Sequence, residues 1–278
     1  MRIKDKDFPV SAGPYIVGIL NITPDSFHAG SRTPDKDAAL AQALKMADEG
    51  VDIIDIGGES TRPGSDPVDA STELARVIPV VRALNGKVAV PLSIDTCKSK
   101  VAEEAIKEGA AMLNDITALA GDPAMADLAR AAKVPVVLMH MPGSPKTMQD
   151  NPSYDDPVRE VGDFLLARAA FAEKKGILPE NIILDPGIGF GKRISDNLAL
   201  IRGFADYIRG RYPVLIGHSR KRFIGTLINR PETADRLSGS LGAAAAAVRH
   251  GATFLRVHDV RETREMLTVA LAVEGKAA

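Results

Sequence analysis

The 278-residue chain has a single cysteine, Cys97, so it cannot close a disulfide within itself. That excludes a disulfide-stapled scaffold and suits a reducing cytosol. Neither sign of charge is in excess: 35 lysines and arginines stand against 36 aspartates and glutamates, a formal net charge of −1. A nucleic-acid platform built on bulk positive charge is excluded, whereas a local basic site for a small anion is not. No apolar run approaches the roughly 20 residues of a membrane-crossing helix. The charged start, Met1-Arg2-Ile3-Lys4-Asp5-Lys6-Asp7, lacks the apolar core of a secretion signal. No stretch rich in Pro, Gly and Ser divides the chain. With 45% hydrophobic and 26% charged residues there is ample material for a core, which excludes wholesale disorder. The expectation is a cytoplasmic protein with no membrane or nucleic-acid partner, folded as one domain over residues 1–278.

What the chain does have is an alternation of two kinds of segment. Short β-branched runs read as buried strands: Tyr15–Leu20, Val51–Ile56, Val88–Ile94, Ala111–Leu113, Val134–Met139, Asn181–Leu184, Pro213–Ile216 and Thr253–Val257. Each is followed by a run of helical spacing, near Lys36–Glu49, Ser71–Leu84, Lys98–Glu108, Pro123–Ala132, Asp156–Lys175, Ser195–Arg209, Thr233–Arg249 and Val260–Val273. Strict βα alternation makes the strands parallel, because each helix carries the chain back across the sheet. Eight such units favour an α/β fold closed as a (β/α)8 TIM barrel over an open doubly wound sheet. Gly50, Gly109, Gly176 and Gly251 stand where a left-handed residue would stop a helix before the next strand. The Ala243–Ala247 run reads as a small-residue helix face packed closely on the barrel.

Every strand-like run ends in polar or glycine-rich residues. The first gives Asn21-Ile22-Thr23-Pro24-Asp25-Ser26-Phe27, and the second Asp55-Ile56-Gly57-Gly58-Glu59-Ser60-Thr61-Arg62-Pro63-Gly64. The third to fifth give Asp95-Thr96, Asn114-Asp115 and His140. The last three give Asp185-Pro186-Gly187-Ile188-Gly189-Phe190-Gly191-Lys192, Gly217-His218-Ser219-Arg220-Lys221 and Arg256-Val257-His258-Asp259. In a barrel these ends share one face. A lone Asp after a strand can equally be a helix cap, but eight such ends together point to a functional mouth. Arg62, Lys221, Arg256 and His258, with the Ser219 hydroxyl, suit an anion such as phosphate. Helix starts after the seventh or eighth strand would add backbone donors. The alternative for Arg256 is an interior ion pair with a barrel carboxylate. Asp95, Asn114 and Asp185 suit a flat heterocycle with an amidine-like edge. Their alternative is a polar network that only braces the barrel.

Other chemistries lack their signatures. The glycine-rich Gly187–Lys192 segment is not a Walker loop and comes too late for a dinucleotide fold. There is no GxSxG and no HExxH, and Cys97 reads as a small semi-buried residue. His140 stands where it can reach the mouth, with a packing role equally open.

Taken in order, these segments resemble the dihydropteroate synthase family. The matching stretches are Gly18–Phe27, Asp55–Gly64, Ser93–Thr96, Asn114-Asp115, Met139–Met141, Asp185–Lys192, Ser219–Lys221 and Arg256–His258. The resemblance implies a pterin-binding barrel that joins 6-hydroxymethyl-7,8-dihydropterin diphosphate to 4-aminobenzoate, the step in folate biosynthesis that sulfonamides target. It implies that Asn21 helps hold Mg²⁺ on the diphosphate, which Arg256 and His258 grip with help from Arg62 and Thr61. Asp95, Asn114 and Asp185 would read the pterin edge. Lys221 would reach the pterin and border the second pocket, lined by Thr61, Pro63, Phe190 and Ser219 and covered by Phe27. Asp95, Asp185 and Lys221 would carry the chemistry. The family is commonly a homodimer through late helices. One departure stands out: the family's first loop continues with Ser-Asp-Gly-Gly, whereas this chain reads His28-Ala29-Gly30-Ser31. It leaves a non-catalytic pterin-binding homologue as one alternative. A pterin-dependent methyltransferase is another, needing no diphosphate site. A metal-dependent hydrolase would need His-x-His where Asn21-Ile22-Thr23 stands.

Overall fold

A computed structural model describes residues 1–23 and 36–275. Phe27, His28 and Ala29 lie outside them. The chain opens with an antiparallel hairpin, β1 (Arg2–Ile3) and β2 (Lys6–Asp7). Then follow β3 (Tyr15–Asn21), α1 (Lys36–Asp48), β4 (Ile53–Gly57), α2 (Ala70–Leu84), β5 (Leu92–Asp95), α3 (Ser99–Lys107), β6 (Ala110–Asp115) and α4 (Met125–Ala132). The second half contains β7 (Val136–Met139), α5 (Pro157–Lys174), β8 (Ile182–Asp185), α6 (Ile194–Ile208), β9 (Leu215–Ile216), α7 (Arg222–Leu227), α8 (Leu237–Arg249), β10 (Phe254–Val257) and α9 (Val260–Val273).

Strands β3 to β10 form one parallel sheet in the order β8-β7-β6-β5-β4-β3-β10-β9. A parallel bridge from Leu184 to Val214, just before β9, joins its two edges, so the sheet closes into the expected (β/α)8 barrel. Alternation along each strand decides what lies inside. Ile54 and Ile56 pack with the helices in the outer core, so Ile53, Asp55 and Gly57 face the barrel interior. The same rule sends Val17, Met112, Val137, Ile183, Leu215 and Phe254 inwards, where they form an apolar floor with Ile3 and Phe8 of the N-terminal segment. Above that floor the inward positions turn polar: Asp55, Ser93, Asn114, Asp185 and Arg256.

The helix ends follow local chemistry. Asp69 caps α2 by accepting the Thr72 N–H at 2.7 Å, and Asp156 caps α5 from the Arg159 N–H at 3.1 Å. The four glycines singled out as helix stops have φ of +85° to +115°. Several features depart from the sequence-based expectation, among them the strand expected over Val88–Ile94, which begins only at Leu92. The hairpin β1–β2 was not expected, and the expected Thr233–Arg249 helix begins as a 3₁₀ turn, Thr233–Arg236, before α8. A further short helix, α7, follows the seventh barrel strand.

Phe8 is 3% exposed and packs its ring 5.0 Å from Tyr15 and 6.5 Å from Phe254. Phe8→Ala is expected to cost about 3–5 kcal/mol of stability in denaturant unfolding, the range for a buried aromatic. A loss under about 1 kcal/mol would show that the hairpin does not seal the barrel floor.

Candidate functional site at the barrel mouth

The polar layer is organised around Arg256. Its Nε donates to Asp55 Oδ2 and one terminal nitrogen to Asp95 Oδ2, each at 2.6 Å. Asn114 Nδ2 donates to the same Asp55 oxygen at 2.9 Å. One side chain from β10 thus ties β4, β5 and, through Asp55, β6 across the lumen. Burial works against the charge on Arg256, but Asp55 and Asp95 outweigh it and raise its pKa. Burial also pushes Asp95 up to about 7, against the pull of Arg256. Asp55 Oδ1 and Ser93 Oγ, on neighbouring strands in register, are buried without hydrogen-bond partners among the described residues.

Two glycines show how closely the remaining groups converge. A Cβ placed on Gly217 would lie 3.9 Å from Asp185 Oδ2, 4.0 Å from Lys221 Nζ and 3.8 Å from Arg256 Cβ. A Cβ on Gly57 would lie 3.6 Å from both Asn21 Oδ1 and Asp95 Oδ2. Any larger side chain at either position would fill the mouth. Asp185 Oδ1 accepts the Gly187 N–H at 2.7 Å, and burial raises its carboxyl pKa against the opposing pull of Lys221. Burial lowers Lys221 to about 7, with Asp185 opposing. The Lys221 ammonium donates to the Ile188 carbonyl and stands 4.3 Å from the centre of the Phe190 ring.

At the rim, the His258 N–H donates to Ser219 Oγ at 3.2 Å, and the ring nitrogen Nδ1 lies 3.1 Å from it. His258 is exposed to solvent, yet desolvation on its protein side and the guanidiniums of Arg256 and Arg220 push it down to about 4, with Arg62 adding to them. Arg220 is taken by Asp259, so the start of α9 is already charge-balanced. Thr61 is half-buried, and Arg62 and Pro63 are exposed, on the loop after β4. That loop is held from below: Lys98 bridges Glu59 and the buried Glu73, the latter at 2.6 Å, and Arg76 donates to the Gly58 carbonyl at 2.7 Å.

The sequence-based site therefore falls into two parts. Asn21, Asp95, Asn114, Asp185, Lys221 and Arg256 meet in the mouth, with Phe190, Ser219 and His258 at its rim. Thr61, Arg62 and Pro63 stand on the flanking loop, with Arg62 linked to the cluster through its field at His258. The alternative considered for Arg256, an interior pair with a barrel carboxylate, is what its hydrogen bonds show. Two residues were missed as site members. Asp55, the hub of the network, lies inside a strand rather than after it, though an Asp within an apolar β run was a visible signal. Lys192 was passed over as the end of a glycine-rich loop. Cys97 is half-buried, and burial pushes its thiol up to about 11, which suits the packing role expected of it.

A closed barrel that gathers carboxylates, an amide and cations at the C-terminal ends of its strands defines a class: an enzyme scaffold for a small ligand that is anionic at one end and rich in N–H groups at the other. A profile of the family described as "Pterin binding enzyme" matches residues 17–258. The chain belongs to that family, in its dihydropteroate synthase branch. It is 45% identical to the dihydropteroate synthase of Escherichia coli, covering 93% of this chain and 91% of that protein. The Xanthomonas albilineans enzyme, solved with 4-aminobenzoic acid, superposes with a TM-score of 0.88 at 46% identity over 94% and 93% of the two chains. The Yersinia pestis enzyme, solved with a sulfonamide drug complex, gives a TM-score of 0.93 at 40% identity over 99% of each.

Two histidines behind the mouth make stability depend on pH. Burial lowers His140 to about 3, with Lys192 adding to it, and lowers His218 to about 4. Both are neutral when folded and must take up a proton on unfolding in acid. Their contribution is fully present above the ordinary histidine pKa of about 6.5 and drains away as pH falls towards 4, by about 2 kcal/mol per ring at pH 5. The Tm should fall steadily from pH 7 to pH 5. A flat Tm across that interval would contradict neutral buried rings.

Proposed function

We propose that the protein catalyses the condensation of 6-hydroxymethyl-7,8-dihydropterin diphosphate with 4-aminobenzoate, giving 7,8-dihydropteroate and diphosphate. The observation that carries this is the convergence of Asp95, Asn114, Asp185, Lys221 and Arg256 on one mouth, in a chain 45% identical to the dihydropteroate synthase of Escherichia coli over nearly its whole length. Asn114 both donates and accepts, and the aspartates accept N–H groups, which suits the edge of a pterin ring. His258, Ser219 and Arg62 supply the rim where a diphosphate would sit.

In this reaction the methylene C–O bond breaks and its electron pair leaves with diphosphate. The carboxylates of Asp95 and Asp185 favour the positive charge that develops on the pterin methylene. The aromatic amine then forms the C–N bond and loses a proton to water. An aryl amine is a neutral nucleophile, so no strong base is required. Asn21 offers one neutral oxygen beside Asp95, and among the described residues no cluster of three His, Cys, Asp or Glu could hold a metal alone. This donor set suits Mg²⁺ that arrives on the diphosphate, held partly by Asn21. Bound there, the ion would neutralise charge on the leaving group.

Homodimer formation is supported by an apolar groove of about 420 Å³ between α6, α7 and α8, lined by Leu198, Ile201, Phe223, Ile224 and Leu227. Leu227 is 55% exposed there. No described helix is long and apolar enough to cross a membrane, and a lone unreactive thiol suits a cytoplasmic site of action.

Purified protein given both substrates and Mg²⁺ is expected to release diphosphate and form 7,8-dihydropteroate. No release above the blank at saturating substrate would overturn the assignment. Asp185→Asn should weaken pterin diphosphate binding by about 1–3 kcal/mol in calorimetry, the scale of an unpaired buried partner. An unchanged affinity would remove Asp185 from the pterin edge.

A further inference from the structure

The loop after β8 is held in an unusual way. Four consecutive carbonyls, at residues 188–191, each accept a hydrogen bond from a side chain. Lys221 donates to Ile188. At 2.9 Å each, Gln149 donates to Gly189, Lys192 to Phe190 and the Tyr154 hydroxyl to Gly191. The Gly189 N–H donates to Asn197 Oδ1 at 2.6 Å. Loops normally leave such groups to water.

Lys192 is the buried anchor, 5% exposed. An ammonium has three N–H donors, and three acceptors surround this one: Phe190 O, His140 Nδ1 at 3.1 Å and His140 O at 3.4 Å. The main chain is equally constrained. A Cβ on Gly187 would lie 2.0 Å from the His140 carbonyl oxygen, and one on Gly191 would lie 2.3 Å from Pro142 Cγ.

His140, Pro142, Gln149 and Tyr154 all belong to the segment between β7 and α5. The same segment grips the opposite wall of the mouth. The Gly64 N–H donates to the Pro145 carbonyl at 3.0 Å, and Lys146 pairs with Asp66 at 2.7 Å. Gly64 follows directly on Thr61, Arg62 and Pro63. One stretch of chain is thus fastened to the Phe190 loop and to the loop after β4.

We propose that residues 140–154 form a strap that sets the distance between Phe190 and the Thr61–Pro63 loop, with Lys192 and Gln149 as positioning residues for the pocket that takes the carboxylated aromatic amine. The identity of that amine rests on the function proposed above. The strap itself rests on the hydrogen bonds just described.

The test compares Gln149→Ala, an exposed site that leaves the core untouched, with Lys192→Met. Gln149→Ala should raise the KM for 4-aminobenzoate about fivefold and Lys192→Met at least about tenfold, the scale of one and of several hydrogen bonds. For Gln149→Ala the KM for the pterin diphosphate should stay within about twofold, since Gln149 holds the loop only through the Gly189 carbonyl. In a Phe190→Ala background neither substitution should raise the 4-aminobenzoate KM further. Amide hydrogen exchange over residues 187–192 should be faster in both variants, a readout that needs no turnover. Equal KM rises for both substrates in Gln149→Ala, additivity with Phe190→Ala, or unchanged exchange in that segment would overturn the strap. Absence of product from the unaltered chain would instead overturn the assigned reaction, and the exchange measurement would still decide the strap.

Discussion

Everything at the mouth depends on a guanidinium held inside the barrel between two aspartates. Arg256 lies 201 residues from Asp55 and 161 from Asp95 in sequence, yet bonds to both. Taking such charges out of water costs several kcal/mol each, so the group is stable only as a complete set. Asn114 completes it by sharing the Asp55 oxygen. The set fixes the relative positions of β4, β5, β6 and β10, and with them Asp95 on β5 and Asn114 on β6, two of the residues assigned to the pterin.

The barrel separates stability from chemistry along its axis. At the N-terminal end Val17, Ile53, Met112, Val137, Ile183, Leu215 and Phe254 fill the lumen, and Ile3 and Phe8 close it. At the other end the same strands switch to Asp, Asn, Arg and Gly. Glycine matters there for what it leaves out: at 57 and 217 a side chain would occupy the space that Asn21, Asp95, Asp185 and Lys221 surround. The low-dielectric floor makes the charges above it strong and moves their pKa values. Asp95 and Lys221 are both brought to about 7 by burial.

The eight strands and their helices could be read from the sequence because parallel barrel strands are buried on both faces and stand out as apolar runs. The hairpin β1–β2 could not, since two residues per strand with alternating charges carry no periodic signal. The helix α7 was hidden in the same way, six residues long and directly after a polar turn. For the site, the polar strand ends were visible one by one, and the family resemblance grouped them. What pattern could not supply was pairing. Nothing in the order of residues says that Arg256 is engaged with Asp55 and Asp95. Lys192 stood only as the last residue of a glycine-rich segment, and its burial beside His140 is what shows that it anchors Phe190.

The central claim is that the Asp55–Arg256–Asp95 set holds the mouth together. Asp55→Asn keeps the shape of the side chain and removes its charge, so it addresses that claim directly. Unfolding and calorimetric titration with pterin diphosphate should show a loss of about 3 kcal/mol in stability, as for breaking a buried pair, together with weakened binding. A stability change below about 0.5 kcal/mol, with unaltered affinity, would mean that the network is an ornament of the barrel rather than its keystone.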